Sequence, residues 1–250
     1  MKRYLLILAV VVFADTVFAG TIPGAMSRET LKYSSNLSAW SVGLQLEGII
    51  DREVDYKNMN GGTELTAAAG SVFLGYDFAP WITAFVTLGA SAVEVDDAGD
   101  DSDWSDPAEK WSLGLNANIW HYEIIEPDSL KGRLTFKAVG EIARYDSEDD
   151  MFDAHWVDVS LALPLCYEVM VDYGLHESDG IYSSVIYVGP GFSFLNGRAN
   201  TATEQTDFEE TQTIGVVGGM DIYFARNLSF GVYGQYFKGG TVGSSLQYHF

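Results

Sequence analysis

The chain has 250 residues, of which 47% are hydrophobic, and its formal net charge is −21 at pH 7. This acidic composition argues against nucleic acid as a partner, because binding a phosphate backbone requires a cation-rich surface. The single cysteine, Cys166, excludes an intrachain disulfide, and we expect it to be a buried, small apolar residue.

The first 19 residues have the order of a secretory signal peptide. Lys2 and Arg3 precede an apolar run from Leu5 to Phe13, and a small residue, Ala19, marks the predicted cleavage site. The apolar run is too short for a membrane-spanning helix, which needs about 20 residues. We therefore expect an exported protein in which residues 20–38 form a periplasmic N-terminal segment or fold into the mouth of the following domain.

From Ala39 onward, ten segments alternate apolar and polar side chains, and none keeps a helical period. They lie near residues 39–50, 65–78, 81–94, 111–122, 133–145, 154–166, 181–194, 211–224, 228–237 and 241–250. An even number of strands returns both ends of the domain to the same side. The pattern predicts an all-β fold over residues 39–250, a transmembrane antiparallel up-and-down β-barrel of about ten strands, with eight or twelve as alternatives.

The links between the segments are short at one end and long or charged at the other. Short links follow residues 78 and 224, whereas carboxylates concentrate in residues 94–109, 146–153 and 204–210. We expect these three stretches to be solvated acidic extracellular loops. The first stretch is rich in Asp but lacks the glycine and glutamate of a calcium-binding loop, so it predicts no defined calcium site. The alternative to a purely solvated loop is weak condensation of divalent cations.

Alternation gives each predicted strand an apolar face and a polar face. The apolar faces, typified by Leu44, Leu115 and Val159, would contact lipid. The charged candidates for the opposite, lumen-lining face are Glu47, Asp77, Arg133, Lys137, Glu141, Asp158 and Asp221. These charges must pair or be hydrated, because an isolated buried ion costs several kcal/mol. Four large side chains on the same face, Phe85, Trp120, Tyr145 and Tyr233, favour a closed or barely conducting barrel.

Aromatic side chains gather at both ends of the predicted strands. The expected belt at the short-turn end is Trp40, Phe78, Trp81, Trp120, Tyr122, Tyr182, Phe224, Tyr248 and Phe250. The expected belt at the loop end is Trp104, Trp111, Tyr145, Phe152, Trp156, Phe194, Tyr236 and Phe237. Two such belts are typical of a barrel in a bilayer and predict an outer-membrane location. The alternative is a secreted, soluble β-protein that binds a ligand in its interior.

The last strand alternates up to a terminal aromatic residue, with Leu246, Tyr248 and Phe250 on one side. With this strand, the leader and the strand–turn–strand units at residues 75–82 and 221–231, the chain resembles the small outer-membrane β-barrel proteins of Gram-negative-type bacteria, the OmpA/OmpX-like and porin-like group. The resemblance implies that Leu246, Tyr248 and Phe250 are an assembly signal read by the barrel-assembly machinery. Outer-membrane lipid and lipopolysaccharide are the other implied partners.

The resemblance does not select a function, because that group includes pores, anchors, adhesins and a few enzymes. His155 is the only histidine expected at the loop end, and alternation places it with Val157, away from Asp158 and Ser160. A general base must reach its nucleophile, so the sequence predicts no catalytic site. It contains no metal-ligand cluster and no cofactor motif.

We therefore expect a monomeric outer-membrane barrel with a structural or surface-interaction role. A narrow, weakly cation-preferring, porin-like channel is the main alternative, because the predicted lumen carries five acids against two bases. An outer-membrane hydrolase is a further alternative.

Overall fold

A computed structural model describes residues 38–57, 62–95, 103–124, 132–148, 152–170, 183–201, 205–225 and 227–250. The predicted leader and almost all of the predicted N-terminal segment lie outside these ranges. In the described part of the chain, no helix is long and apolar enough to cross a membrane. The regular elements of the described residues are thirteen strands: β1 (Trp40–Tyr56), β2 (Gly62–Ala79), β3 (Ile82–Val95), β4 (Asp103–Trp104), β5 (Asp106–Ile124), β6 (Gly132–Glu148), β7 (Phe152–Ala162), β8 (Leu165–Met170), β9 (Ser183–Thr201), β10 (Gln205–Glu210), β11 (Ile214–Ala225), β12 (Leu228–Tyr236) and β13 (Gly240–His249).

These strands close into an antiparallel barrel. The order round the wall is β1, β2, β3, β5, β6, β7, β9, β11, β12 and β13, and β13 pairs back onto β1. β7 and β8 occupy one position in the wall, separated by a break at Leu163 and Pro164. β10 and β11 likewise share one position. The structure thus confirms the predicted all-β barrel with ten wall positions.

The terminal strand closes the wall, as predicted. Residues 240–249 pair in continuous register with residues 41–50, so that Leu246 lies opposite Leu44 and Tyr248 opposite Val42. On its other side β13 pairs with β12. Closure leaves neither β1 nor β13 with an unpaired edge, which is the condition for a sheet to exist in lipid.

The barrel narrows at the end remote from residues 40 and 250, which we call the loop end. The β12–β13 hairpin stops there at residues 236–240, and above it β10 pairs directly with β1, for example Tyr56 with Phe208. A bulge in β1 between Ile49 and Arg52, with Asp51 at a φ of 50°, accompanies this change. The wall therefore passes from ten positions to eight, because a bulge bends a strand and alters its pairing.

Two of the predicted acidic loops are largely strand. β6 continues to Glu148 and β7 begins at Phe152, while β9 continues to Thr201 and β10 begins at Gln205. The acidic residues do not distinguish a loop from a strand here, because outward carboxylates on a strand beyond the apolar band are as well solvated as carboxylates in a loop. The central residues of the first acidic stretch, 96–102, lie outside the described residues.

The two faces of the strands lie as alternation predicts, with one exception in β5. Leu44, Leu115 and Val159 are exposed on the outer surface, and the alternate residues are buried inside. Trp120, however, is 52% exposed and stacks on Tyr122, so its predicted inward position is wrong. The pairing of β5 with β6 shifts by one residue between Asn118 and Trp120, and such a shift turns a side chain to the other face.

The two aromatic belts are only partly as expected. The described members of the belt at the opposite end, which we call the terminus end, are all exposed, and Tyr182 lies outside the described residues. At the loop end, Tyr145, Trp156 and Phe237 are buried inside the barrel, which contradicts their placement in a belt, and the side chain of Phe152 is not described. Tyr145 and Trp156 lie at inward positions of their strands and Phe237 lies in the turn after β12, where all three fill the lumen.

Candidate functional site

The interior of the barrel contains all seven charged residues that alternation assigned to it. Asp77, Arg133, Lys137 and Asp221 are almost completely buried, and the remaining three are partly buried. The described interior contains four more charged residues that the sequence analysis missed: Arg52, Lys110, Glu168 and Glu210. Each lies just beyond the end of a predicted segment. The alternation that puts Leu115 on the outer face, continued back along the strand, would have found Lys110 on the inner face.

Arg52 spans the lumen between opposite walls. Its guanidinium binds Asp158 of β7 with an Nη1–Oδ2 distance of 3.0 Å and Glu210 of β10 with an Nη2–Oε1 distance of 2.7 Å. It also donates to Ser193, which in turn donates to Asp158 at 2.9 Å. At this level β2, β3, β5 and β6 separate β1 from β7 in one direction round the wall, and β10 and β9 separate them in the other. A single side chain therefore joins β1 across the lumen to a strand that is not its neighbour.

A second group of contacts crosses the lumen beside the first. Lys110 Nζ lies 2.8 Å from Glu47 Oε2, and the hydroxyl of Tyr145 donates to Glu47 Oε1 at 2.7 Å. The same Nζ lies 4.7 Å from the centre of the Tyr145 ring, which stacks on Trp156 at 4.8 Å. Glu141 hydrogen-bonds to Ser112 nearby. These contacts join β1 to β5 and β6.

The half of the interior near the terminus end combines ion pairs with an apolar cluster. Arg133 Nη2 lies 2.6 Å from Glu168 Oε2, and His249 Nε2 lies 3.4 Å from Asp77 Oδ2. The apolar cluster consists of Val139, Ala162, Cys166, Val185, Tyr187, Val217, Tyr223 and Tyr233. Cys166 is thus a buried packing residue, as predicted.

The described interior is filled with side chains from end to end. At the loop end Trp156 is 1% and Lys110 is 2% exposed, and near the other end Tyr223 is 1% exposed. A lumen wide enough to hold a single file of water molecules would expose the side chains that line it to solvent. In a barrel of about this strand number, side chains are just able to fill the interior.

The remaining candidate residues lie on the outer surface. Leu246, Tyr248 and Phe250 are exposed on the outer face of the closing strand. His155 pairs with Asp146 and Arg198 on the neighbouring strands and faces outward, away from the interior position of Asp158. The structure thus keeps His155 apart from the residues with which it would have formed a catalytic triad.

Comparison with known proteins identifies no family. No protein-family model matches the chain, and no curated protein matches it. Among solved structures, it is similar to the CymD monoaromatic hydrocarbon channel, with 10% identity, 88% of this chain and 90% of that chain covered, and a TM-score of 0.22. It is also similar to Salmonella typhi OmpF in complex with daunomycin, with 7% identity, 84% and 97% covered, and a TM-score of 0.16. It is similar, too, to a mutant Rh. blastica porin, with 10% identity, 84% of this chain and 99% of that chain covered, and a TM-score of 0.17. With TM-scores this low, these likenesses carry no argument about what the chain does.

Proposed function

We propose that this protein is a closed outer-membrane β-barrel with a structural or surface-interaction role. The observation that carries the proposal is the Arg52 bridge, because it ties opposite walls together across the lumen. Its partners Glu210 and Asp158 have side chains only 1% and 14% exposed. A bridge of this kind stands in the path of a solute through the lumen.

The outer surface supports the membrane assignment. Large apolar side chains are exposed on nearly every wall strand, and aromatic side chains are exposed at its terminus end. Monomeric soluble proteins rarely expose contiguous apolar patches of this extent. We place the terminus end in the periplasm and the loop end outside, and we propose that the chain is exported through a cleaved leader.

The partners follow from this placement. We propose that the barrel-assembly machinery recognises Leu246, Tyr248 and Phe250, whose side chains are accessible on the closing strand. We propose that the folded barrel is a monomer surrounded by outer-membrane lipid and lipopolysaccharide. We propose no catalytic role, because His155 lies outside the lumen and apart from Asp158.

A narrow, weakly cation-preferring channel is the second candidate. It is favoured by the charges of the described interior, where seven acids face four bases. An acid-rich interior attracts cations if it opens. Opening would require the Arg52 and Lys110 bridges to separate.

Conductance across a planar bilayer tests the proposal. The purified, refolded wild type is expected to insert without producing current steps. Replacing both bridging cations in the double variant Arg52→Ala, Lys110→Ala is expected to produce cation-selective steps, because it removes two side chains that span the lumen. The matched control is Lys238→Ala, which removes an exposed cation and is expected to stay silent. Steady cation-selective steps from the wild type would replace the closed barrel with the channel.

Detergent dependence tests the membrane assignment separately. The protein is expected in the outer-membrane fraction and to need detergent for extraction. Recovery in a detergent-free soluble fraction would refute the assignment.

A further inference from the structure

The basic side chains of the described residues fall into two groups. Arg52, Lys110, Arg133 and Lys137 point into the lumen. The other described basic residues, Lys57, Arg144, Arg198 and Lys238, are exposed at the loop end. Each of these four exposed cations forms an ion pair with a carboxylate, respectively Glu209, Asp146, Asp207 and Glu53.

Two of these cations belong to a lateral row that crosses five strands. Asp146 of β6 pairs with His155 of β7, His155 pairs with Arg198 of β9, and Arg198 pairs with Asp207 of β10. The row ends at Lys57, whose backbone N–H donates to the carbonyl of Asp207 at 3.0 Å. Side chains that lie directly opposite each other on neighbouring strands have Cβ atoms about 5 Å apart, so the members of this row act together.

A cleft of about 320 Å³ opens along the basic part of the row. Its charged and titratable lining consists of Lys57, His155, Arg198 and Asp207, and Glu209 beside it pairs with Lys57, whose Nζ lies 3.8 Å from Glu209 Oε2. We call it the basic cleft.

The cleft on the other side of His155 has the opposite character. It measures about 810 Å³, and its lining includes Asp106, Glu109, Asp146, Glu148, Asp153 and Arg144. The unpaired excess of carboxylates thus lies on this side of His155, and the cations Lys57 and Arg198 lie on the other side.

Within the basic cleft, Asp207 orients Arg198. Arg198 Nε donates to Asp207 Oδ1 at 2.8 Å, and both side chains are nearly half exposed. The carboxylate takes one donor of a planar, forked group and holds its remaining N–H groups in a fixed direction. Exposed ion pairs are weak, so a phosphate, with up to two negative charges and three acceptor oxygens, competes well for these donors.

The apolar surface below the cleft indicates what kind of molecule carries the anion. Val157 lines the cleft, and Val159 and Leu161 continue the exposed apolar face of β7 away from it. Phe194 of β9 is exposed opposite Val159. A charged cleft directly above an apolar strip fits an amphiphile with a phosphate next to hydrocarbon.

We propose that the basic cleft binds the phosphate group of an outer-leaflet lipid headgroup, with Arg198 and Lys57 as the charged donors and His155 as a third. The inference rests on the proposed function for its orientation, which puts the row at the level of the headgroups. The lipid's hydrocarbon chains lie against Val157 and Phe194.

Lipid retention in nanodiscs tests the inference. The full chain is reconstituted in phosphatidylcholine discs that contain either phosphorylated lipid A or the same lipid A with its phosphates removed. Native mass spectrometry then measures the lipid A that stays bound. The wild type is expected to prefer the phosphorylated form by about tenfold, and Arg198→Gln to lose most of this preference, because a hydrogen bond to a charged group has about that effect. Lys57→Gln is expected to weaken it less.

The control variant is Lys238→Gln, which removes a cation that binds Glu53 at the same end of the barrel but outside the cleft. It is expected to keep the wild-type preference. Equal retention of the two lipids by the wild type, or an equal loss in Lys238→Gln and Arg198→Gln, would overturn the inference. Displacement of the lipid by inorganic phosphate alone would show that the cleft binds a soluble anion instead.

The outcome also separates this inference from the proposed function. A chain that inserts into the discs without any preference for phosphate refutes the cleft assignment alone. A chain that does not enter the discs and needs no detergent refutes the membrane assignment as well. Variants are compared only when they show the same gel mobility shift on heating as the wild type, and Lys57→Gln tests the cleft if Arg198→Gln does not fold.

Discussion

Replacing Arg52 with methionine should strongly destabilise the barrel. Methionine has a comparable length but no charge, so the substitution leaves Asp158 and Glu210 without the cation that they share. Glu210 has a side chain only 1% exposed, whereas Asp158 at 14% keeps some access to water. Leaving a buried charge uncompensated costs about 3–5 kcal/mol, and we expect the loss in the free energy of unfolding to lie in this range, mostly through Glu210.

We expect the loss of stability to arise from the uncompensated carboxylates of Asp158 and Glu210, and a series of variants can test this. Arg52→Met combined with Glu210→Gln and Asp158→Asn should recover to within about 1 kcal/mol of the wild type or exceed it, because a buried ion pair is seldom more stabilising than neutral groups of similar volume. The matched control is Arg144→Met, which breaks an exposed pair with Asp146 and should cost less than about 1 kcal/mol.

Equilibrium unfolding in urea, with the refolded protein in thin lipid bilayers, measures these differences. Tryptophan fluorescence follows the transition, because Trp156 lies in the lumen close to the network. A loss below about 1 kcal/mol for Arg52→Met, or no recovery in the triple variant, would refute the claim that Arg52 ties the walls together.

The remaining predictions concern the outer face, the close-packed interior and the buried thiol. Leu115→Arg should cost about 2–4 kcal/mol in the same unfolding assay, because it puts a charge into lipid, whereas Glu109→Arg, on the same face but farther along the strand beyond the apolar band, should cost little; equal losses would contradict the placement of Leu115 in lipid. Gly114→Ala should lose about 1–3 kcal/mol, since a Cβ there would lie 2.2 Å from a ring atom of Phe85, while Gly140→Ala, whose nearest atom would be 3.8 Å away, should be tolerated. Cys166 should resist a thiol reagent in the folded barrel and react after unfolding, and rapid labelling of the folded protein would show that the interior is open.

Several features of the fold could be read from the sequence because they are local. Alternation along a strand has a period of two, and a closed sheet in lipid turns one set of side chains outward and the other inward. That rule was enough to find ten wall positions, to place Leu44 and Val159 outside, and to place Glu47 and Asp158 inside. It also identified the closing strand, whose pairing with β1 follows from the need to remove an edge.

The rule fails wherever one residue is inserted. The shift in β5 turned Trp120 outward, and the bulge at Asp51 brought Arg52 to the inner face. A bulge reverses the parity of all residues beyond it, and no feature of composition at these two places announces one. The acidic ends of strands were predicted to be loops, because a carboxylate on the outward face of a strand end is solvated as well as a carboxylate in a loop.

The sequence by itself thus determined that this chain forms a barrel, which faces of its strands are apolar and where its charges accumulate. Only the tertiary structure decided which charges meet. Arg52 is 106 residues from Asp158 and 158 residues from Glu210 along the chain, and these partners come together because closure of the sheet puts β1 opposite β7 and the end of the β12–β13 hairpin lets β10 reach β1. The row from Asp146 to Lys57 arises in the same way, since the register between strands, which no single strand contains, aligns its five members.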